Sequence, residues 1–356
     1  MIRLLIVEDS TTVIGYLEYI FSNDNDIEVV GTARNGKDAV EFVKKNKVDI
    51  ITMDIDMPVM NGFQATKIIM SENPVPIIIL TSSRNAKNDE TSIEALASGA
   101  LTILQKPFGI GHGQESIRTS NMLKMVKTFS KVKVITRKYI NNIPAKKPIA
   151  LSNSTNKQVK EAQLKGKKYI LIGISSGGPQ VLSKIFSGIS DNFPLPIIVV
   201  QHITKGFINT MVSWLNSSLN LNVKIADNNE FMRPGHIYFA PDNENIGIKG
   251  NKIELTKCNL DLKICPSVKY LFESVSDRQA KDVIAMILTG MGSDGSAEIK
   301  KLKYNGAVTI AQDKQSSLVH GMPGEAIKSG GVNYILSTDE ISKLFTDIAR
   351  ININHN

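Results

Sequence analysis

The sequence has no apolar run approaching the roughly 20 residues that a membrane-spanning helix needs, so it predicts no membrane insertion. It also lacks the layout of a signal peptide, because residues 1–9 lead directly into a predicted strand. Only two cysteines are present, Cys258 and Cys265, and their spacing matches no metal-binding motif. We therefore expect a cytoplasmic protein with reduced thiols.

The formal net charge of the chain is +8, but neither end of the chain is strongly basic. Residues 1–108 carry 10 Lys/Arg and 15 Asp/Glu, residues 109–168 carry 14 and 2, and residues 169–356 carry 18 and 17. The three segments therefore have net charges of −5, +12 and +1. Because the basic character belongs to the middle segment alone, it does not indicate that the whole protein binds nucleic acid.

The middle segment is poor in aromatic residues as well as in acidic ones. Between residues 138 and 167 its one aromatic side chain is Tyr139, so it offers no stacking platform for single-stranded nucleic acid. Pro144 and Pro148 interrupt helix, residues 152–155 are polar, and no helix-turn-helix pattern follows. We predict a flexible basic linker at 138–167 and no specific nucleic-acid partner.

What the chain does contain is a strand–turn–helix pattern around Ser175. Tyr169 to Ile172 is an apolar run typical of a buried strand, Gly173 to Gly178 favours a tight turn, and Pro179 suits a first helical turn. A serine on such a corner lies near backbone N–H groups that can hold an oxyanion, and the turn fits G-x-S-x-G. A glycine-rich turn after a strand also occurs in dinucleotide-binding folds, so this stretch alone leaves both alternatives open.

The first 108 residues alternate predicted strands with helical patterns, as in a parallel sheet covered by helices on both faces. The predicted strands are Ile2–Val7, Val29–Gly31, Ile50–Met53, Ile77–Leu80 and Leu101–Leu104, and helices are predicted from about Thr12 and over Asp38 to Lys45. The helical spacing of Met122, Met125, Val126 and Phe129 predicts a last helix that extends to about residue 137.

Five residues with matching chemistry follow these predicted strands: Glu8, Asp9, Asp54, Thr81 and Lys106. Ligands of parallel sheets bind at the carboxyl ends of the strands, so we expect these side chains to converge. Converging carboxylates repel one another unless a hard cation such as Mg²⁺ binds them. Thr81 and Lys106 can then hold a phosphoryl group transferred onto Asp54. Taken singly, each carboxylate could equally be a helix cap or lie in a solvated loop.

Residues 1–108 resemble the receiver domain of bacterial response regulators. The resemblance rests on Glu8-Asp9, on Asp54 within Met-Asp-Ile-Asp-Met-Pro, on Thr81 and on Lys106-Pro107. It implies a flavodoxin-like (βα)5 fold with Asp54 as the phosphoacceptor and a chemotaxis histidine kinase as the phosphodonor. It also implies that Asp56 joins Glu8, Asp9 and Asp54 around Mg²⁺, through its backbone carbonyl, and that Gly62 lies in the loop after the acceptor.

A second α/β pattern starts near residue 168. Strands are predicted at Leu195–Gln201, Val283–Leu288 and Val308–Ala311, with a helix over Ala297–Tyr304. Ser175, His202 and Asp294 all follow predicted strands, and together they supply a nucleophile, a base and an acid that orients the base. As single residues, His202 could be an ordinary loop histidine and Asp294 could cap the helix that begins near Gly295.

The order of these three residues excludes one familiar fold and weakens the cofactor alternative. The chain order Ser–His–Asp differs from the Ser–Asp–His order of α/β-hydrolases, so the G-x-S-x-G match does not indicate that fold. A dinucleotide-binding fold would place an acidic residue after its second strand, where this chain has Gln201-His202.

Residues 169–356 resemble the catalytic domain of chemotaxis protein-glutamate methylesterases. The matching motifs are Ile172–Gly178, Gln201-His202, Pro234–Pro241, Leu288–Gly295, Ile310-Ala-Gln and Gly321-Met-Pro. The resemblance implies a doubly wound, mostly parallel domain without a cofactor, in which Ser175 attacks receptor glutamate methyl esters and methanol is released. It also implies that backbone N–H groups of Met291 and Ser176 hold the oxyanion, and that some members deamidate receptor glutamines.

We therefore predict a receiver at 1–108, a linker at 138–167 and a methylesterase domain at 168–356, acting as a monomer on chemotaxis receptors. Cys265, Lys269 and Gly324 depart from the residues expected in the family, which leaves the docking of the receptor open. The alternative is a response regulator that acts by binding and carries a decayed esterase domain. Intact Ser175, His202 and Asp294 favour the enzyme.

Overall fold

The computed structural model describes residues 1–81, 93–107, 115–132, 134, 159–259 and 264–353. The chain forms two compact units. The first is built from residues 1–83 and 98–157, and the second from residues 84–97 and 158–356. Within the described ranges, no helix is both long enough and apolar enough to cross a membrane.

The first unit contains one parallel sheet of five strands. The strands are β1 (Ile2–Val7), β2 (Ile27–Ala33), β3 (Ile50–Asp54), β4 (Ile77–Thr81) and β5 (Thr102–Gln105). The helices are α1 (Thr11–Ser22), α2 (Gly36–Lys45), α3 (Gly62–Glu72) and α5 (Glu115–Phe129), and the intervening α4 (residues 93–98) falls almost wholly in the second unit. The sheet order is β2-β1-β3-β4-β5, which confirms the predicted flavodoxin-like class. Strands β3 and β4 are buried along their whole length, because helices cover both faces of such a sheet.

The loop between β3 and α3 depends on a glycine. A Cβ atom at Gly62 would overlap the carbonyl oxygen of Asp54, so the start of α3 lies directly against the end of β3. Asn61 caps α3 by accepting a hydrogen bond from the Gln64 N–H at 2.9 Å, and the Gln64 side chain accepts from the Asn61 N–H. The predicted loop after the acceptor is thereby held close to the strand that carries Asp54.

The second unit contains a parallel sheet of seven strands and a separate antiparallel hairpin. The strands are β6 (Tyr169–Ile174), β7 (Ile197–Gln201), β8 (Asn222–Ile225), β9 (His236–Phe239), β10 (Glu244–Lys249), β11 (Lys252–Lys257), β12 (Val283–Ile287), β13 (Val308–Gln312) and β14 (Tyr334–Leu336). The helices are α6 (Glu161–Leu164), α7 (Gly178–Phe186), α8 (Ile208–Ser218), α9 (Val268–Glu273), α10 (Glu298–Tyr304), α11 (Met322–Lys328) and α12 (Thr338–Ile353), with a 3₁₀ turn at Ala280–Asp282.

The order of the large sheet is β14-β13-β12-β6-β7-β9-β8, with β10 and β11 forming the hairpin. From the central strand β6, the chain first adds strands on one side, through β7, and later adds β12, β13 and β14 on the other side. The direction of winding therefore reverses next to β6, and this is where ligands bind in doubly wound sheets. The predicted doubly wound, mostly parallel class is confirmed.

The segment between the units differs from its prediction at both ends. Helix α5 ends at Phe129 and not near residue 137. At the other end, α6 lies inside the predicted linker, its Leu164 is buried, and the Tyr334 hydroxyl donates to the Gln163 side chain. The folded second unit thus includes residues before 168, because the buried Leu164 belongs to it. Residues 138–158, the rest of the linker predicted at 138–167, lie outside the described residues.

The cysteines also differ from the prediction. Cys258, just after β11, and Cys265, shortly before α9, are joined by a disulfide. The expectation of reduced thiols is therefore wrong for this structure, since the two residues lie close enough in the folded chain to be bonded.

Candidate functional site

Three carboxylates meet at one edge of the first sheet. Glu8 and Asp9 follow β1, Asp54 ends β3, and β1 and β3 are neighbours in the sheet. One oxygen from each residue lies within 4.8 Å of the others. All these donors are oxygens, which suits a hard divalent cation such as Mg²⁺. The exposed carboxylate of Asp56 is not part of this described cluster, so only its backbone carbonyl remains as a predicted ligand.

Lys106 and Thr81 lie at the same edge. The Lys106 Nζ is 2.6 Å from Glu8 Oε2 and 2.9 Å from Asp54 Oδ1, and the side chain is largely buried. Thr81 is buried at the end of β4, and its carbonyl accepts a hydrogen bond from the Lys106 N–H at 2.9 Å. The structure therefore brings together all five residues that the sequence singled out.

Burial and a neighbouring negative charge disfavour the ionised form of the Asp54 carboxyl group. The pKa of Asp54 is raised overall to about 6, chiefly by burial and also by the charge of Glu8, while Lys106 acts in the opposite direction. Burial also acts to lower the pKa of Lys106, but its two carboxylate partners raise it overall. The cluster thus carries more negative charge than one lysine offsets, which is consistent with the binding of a cation.

The turn after β6 holds Ser175 by its backbone. The Ser175 N–H donates to the Thr289 carbonyl at 2.9 Å, and the Ser175 carbonyl accepts from the Gly178 N–H at 2.8 Å. Gly177 has a φ of 79°, a left-handed conformation that favours glycine, and it caps α7. The nucleophile candidate is therefore placed where strand, turn and helix meet, as its sequence pattern predicts.

His202 lies beside Ser175 because β6 and β7 are paired. Ile174 is opposite Gln201 in this pair, and the His202 N–H donates to the Ile174 carbonyl at 2.9 Å. The His202 Nε2 is 3.0 Å from Asp294 Oδ2. This is an ion-pair distance without the alignment of a hydrogen bond, since Nε2 has no well-aligned acceptor among the described residues. With Nε2 beside Asp294, Nδ1 is the nitrogen left to serve as the base.

Asp294 is held at the N-terminus of α9. Its carboxylate accepts from the Ser267 hydroxyl at 3.0 Å, from the Val268 N–H at 2.7 Å and from the Lys269 N–H at 3.0 Å. The residue does act as a cap, but of α9 and not of the helix near Gly295. Burial acts to raise the pKa of Asp294, but His202 and these N–H donors lower it overall, so the carboxylate is charged at neutral pH.

Two peptide units beside Ser175 have their carbonyl groups fixed. The Gly290 carbonyl accepts from the N–H groups of Gly321 at 3.0 Å and Met322 at 2.9 Å. Because carbonyl and N–H point in opposite directions in a trans peptide, the Met291 N–H faces away from these donors. A Cβ atom on Gly290 would come within 2.6 Å of the Ser175 Cβ, so this backbone lies directly against Ser175.

The second peptide unit joins Ser175 to Ser176. Its carbonyl is that of Ser175, whose hydrogen bond from Gly178 directs the Ser176 N–H the other way. Within the described part of the chain, neither the Ser176 N–H nor the Met291 N–H donates to a protein acceptor. Both predicted oxyanion donors are therefore available for a ligand.

The sequence did not reveal the roles of Ser267 and Thr289. Ser267 donates to Asp294 across 27 positions of the chain, and the fully buried Thr289 hydroxyl donates to the Ser176 carbonyl at 2.9 Å. Thr289 lies in the Leu288–Gly295 motif, which pointed to Asp294 and Met291 instead. A serine before a helix signals a cap, but not which carboxylate it meets.

Comparison with known proteins places this geometry in a family. The family described as CheB methylesterase matches residues 170–345, and the response regulator receiver domain matches residues 4–118. A protein-glutamate methylesterase/protein-glutamine glutaminase of Nitrosospira multiformis is 39% identical over 98% of this chain and 97% of its own length. The chain belongs to this family of receiver-linked methylesterases. A Syntrophus aciditrophicus relative of the same description is 40% identical, over 98% of this chain and 99% of its own length.

Among solved structures, the Thermotoga maritima CheB methylesterase catalytic domain is 34% identical to this chain, with a TM-score of 0.48. It covers 52% of this chain, and 98% of the solved domain is matched. One departure from the expected family residues, Lys269, lies next to Asp294. Lys269 contacts Asp294 through its backbone N–H, while its exposed side chain lies 3.8 Å from Glu273.

Proposed function

We propose that the protein hydrolyses glutamate methyl esters on methyl-accepting chemotaxis receptors, releases methanol, and does so faster when Asp54 is phosphorylated. The observation that carries the proposal is the convergence of Ser175, His202 and Asp294 at the winding reversal of the second sheet, with His202 Nε2 at 3.0 Å from Asp294. Sensory adaptation of chemotaxis is the process that this reaction serves. Full-length relatives that are named for both activities support the proposal.

The reaction is serine acyl transfer. His202 accepts the Ser175 proton at Nδ1 while the Ser175 Oγ bonds to the ester carbonyl carbon, and the charged Asp294 stabilises the imidazolium. The N–H groups of Ser176 and Met291 donate to the oxyanion. The imidazolium returns the proton to the leaving methoxide, methanol departs, and water then releases the glutamate carboxylate from Ser175. Deamidation of a receptor glutamine follows the same steps, with ammonia as the leaving group.

The first unit supplies the control. Glu8, Asp9, Asp54 and the Asp56 carbonyl would hold Mg²⁺, which supplies positive charge to the carboxylates and to the incoming phosphoryl group. Asp54 accepts the phosphoryl group from a chemotaxis histidine kinase, Lys106 pairs with it, and Thr81 donates to it. A monomer in the cytoplasm, with no nucleic-acid partner, remains our prediction for the working state.

Methanol release from a methylated receptor tests the assignment of the nucleophile. We expect Ser175→Ala to lose roughly 10⁴–10⁶-fold in rate, since it removes the group that forms the acyl intermediate. Ser176→Ala is the matched control, because its proposed role belongs to the backbone N–H, and it should retain most activity. Loss of activity in Ser176→Ala with an active Ser175→Ala would overturn the assignment, and an inactive wild type would overturn the proposed function.

A further inference from the structure

Gln201 places a side-chain amide between the nucleophile and the base. It is the last residue of β7 and only 3% exposed. Its Nε2 donates to the Ser175 carbonyl at 2.9 Å and to the His202 carbonyl at 2.9 Å. The reverse orientation of the amide would set its oxygen against two carbonyl oxygens, so these contacts define which atom is the nitrogen.

The hydrogen bond to Ser175 affects the oxyanion donor. The Ser175 carbonyl and the Ser176 N–H belong to one planar peptide unit, so a donor on the carbonyl sets the direction of the N–H. Two donors hold that carbonyl, the Gly178 N–H and Gln201 Nε2. Gln201 thereby restrains the orientation of this peptide unit at its carbonyl end, while the N–H at the other end remains free to face the oxyanion.

The hydrogen bond to His202 affects the base. The His202 N–H is already bound to the Ile174 carbonyl, and Gln201 binds the carbonyl of the same residue. The backbone is therefore held on both sides of the His202 Cα. A displacement of about 1 Å between nucleophile and base can cost on the order of 10²-fold in rate, so this restraint bears on the chemical step.

Gly178 encloses the Gln201 amide. A Cβ atom at position 178 would overlap the Gln201 side chain, and its three nearest neighbours would all be atoms of that amide. Gly178 begins α7, where its backbone does not require glycine. The absence of a side chain at 178 therefore leaves room for Gln201 in the position where it bonds both carbonyls.

We propose that Gln201 is a positioning residue, which directs the Ser176 N–H toward the oxyanion and keeps His202 in reach of Ser175. This inference rests on the proposed function, because it assumes that Ser175 is acylated. It applies equally to ester and amide substrates, since both pass through the same oxyanion. Gln201 acts through the backbone of two catalytic residues and does not touch the substrate.

Covalent labelling of the full-length chain by a fluorophosphonate tests the inference without a receptor. Labelling forms a bond from Ser175 Oγ to phosphorus and expels fluoride, so its rate depends on both the base and the oxyanion donors. We expect Gln201→Met, which has a similar volume and no hydrogen-bond donor, to label about 10- to 100-fold more slowly. With a peptide that carries one glutamate methyl ester, kcat should fall by a similar factor while KM changes by less than about twofold.

The control is Thr309→Val, which removes both hydrogen bonds of another fully buried side chain in the same sheet. The Thr309 hydroxyl donates to the Asn333 side chain at 2.8 Å and accepts from the Asn333 N–H at 3.0 Å. The melting temperature of this variant should fall as that of Gln201→Met does, but its rate of labelling should equal that of the wild type. Equal labelling by Gln201→Met and wild type overturns the inference. A wild type that does not label at Ser175 overturns the triad, and the inference with it.

A double-mutant cycle covers the case in which Gln201→Met fails to fold. Gly178→Ala should slow labelling at least tenfold by displacing the amide, but by less than about twofold when Gln201 is already alanine. Such non-additivity supports the inference, because the effect of position 178 then passes through Gln201. The same loss in both backgrounds contradicts it.

Discussion

At the scale of single residues, Asp294 combines burial with a permanent charge. Its pKa is lowered overall although burial acts to raise it, because His202 and the N-terminus of α9 favour the carboxylate. The charge therefore stabilises the second unit above the ordinary Asp pKa near 4, and this stabilisation is lost as the pH falls through the lowered pKa. At neutral pH the same charge is available to the His202 imidazolium.

We predict that Asp294→Asn lowers the rate of methanol release on the order of 10⁴-fold, since it removes the charge and favours the wrong His202 tautomer. Its melting temperature should also fall less steeply between pH 5 and pH 2 than that of the wild type. Thermal unfolding across this range, followed for both proteins, measures the difference. Parallel curves would mean that the Asp294 carboxylate has no lowered pKa.

The pKa of Asp54 is shifted in the opposite direction from that of Asp294. Its pKa is raised to about 6, chiefly by burial, so the folded first unit favours the protonated carboxyl and loses stability as the pH rises from about 4 through 6. Asp54→Asn mimics the neutral form. We expect it to raise the free energy of unfolding of the first unit at pH 7.5 on the order of 2 kcal/mol. Denaturant titration at pH 4 is the control, since the two proteins should be nearly equal there.

The effect of Mg²⁺ on melting temperature provides a second comparison of the wild type with Asp54→Asn. A cation that binds the native carboxylates stabilises the folded state, so Mg²⁺ should raise the melting temperature of the wild type more than that of Asp54→Asn. An equal effect of Mg²⁺ on both proteins would contradict a site at Glu8, Asp9 and Asp54.

At the scale of elements, sequence pattern predicted all five strands of the first sheet and strands β6, β7, β12 and β13 of the second, but missed the outer strands β8, β9 and β14. Strands β3, β4, β6 and β12 are apolar runs that are buried throughout. By contrast, β14 has three residues and β8 begins with an exposed asparagine, so neither gives a clear signal. The strand order of the large sheet also could not be predicted from the sequence, because it depends on pairings between residues far apart in the chain.

The site was predictable only where it follows a strand. Ser175, His202 and Asp294 could be proposed because parallel strands bring their carboxyl ends to one edge. The links that orient them could not, since Gln201 meets Ser175 across 26 positions and Ser267 meets Asp294 across 27. Such contacts follow from the packing of α9 and of the turn after β6, which no local pattern specifies.

The cap at the N-terminus of α9 can be tested by mutation. Ser267 caps this helix and donates to Asp294, so Ser267→Ala should destabilise the second unit by about 1 kcal/mol and reduce kcat roughly tenfold. Ser267→Thr keeps the hydroxyl and should restore most of the rate. Asn35→Ala, which removes the cap of α2 in the first unit, is the control and should leave kcat unchanged. Wild-type kcat in Ser267→Ala would rule out this role.

At the scale of the whole molecule, one chain joins a phosphoacceptor unit to a hydrolase unit. A receptor helix is bulky, so it can reach Ser175 only when the surrounding strand ends are broadly accessible. A modest shift of the equilibrium toward a less accessible state is therefore enough to control the rate of hydrolysis. A shift of about 1.4 kcal/mol in a two-state equilibrium changes the minor population up to tenfold. We therefore predict that the unphosphorylated first unit restrains the second.

A fragment that starts near residue 158, and so leaves out residues 84–97 of the second unit, tests this restraint. The start must precede α6, because the buried Leu164 and the contact between Gln163 and Tyr334 belong to the second unit. We expect the fragment to release methanol several-fold faster than the unphosphorylated full-length chain at equal concentration. A fragment that melts at the same temperature as the second unit of the full chain but works no faster would contradict the restraint.

The central claim, that phosphorylation of Asp54 controls hydrolysis at Ser175, is tested most directly by one measurement. Methanol release from a methylated receptor is followed for the full-length chain before and after addition of Mg²⁺ and a small-molecule phosphodonor. We predict that the wild-type rate rises several-fold, up to about tenfold, while Asp54→Asn stays at the basal rate. An unchanged wild-type rate with Asp54 fully phosphorylated, or an equal rise in Asp54→Asn, would contradict the account.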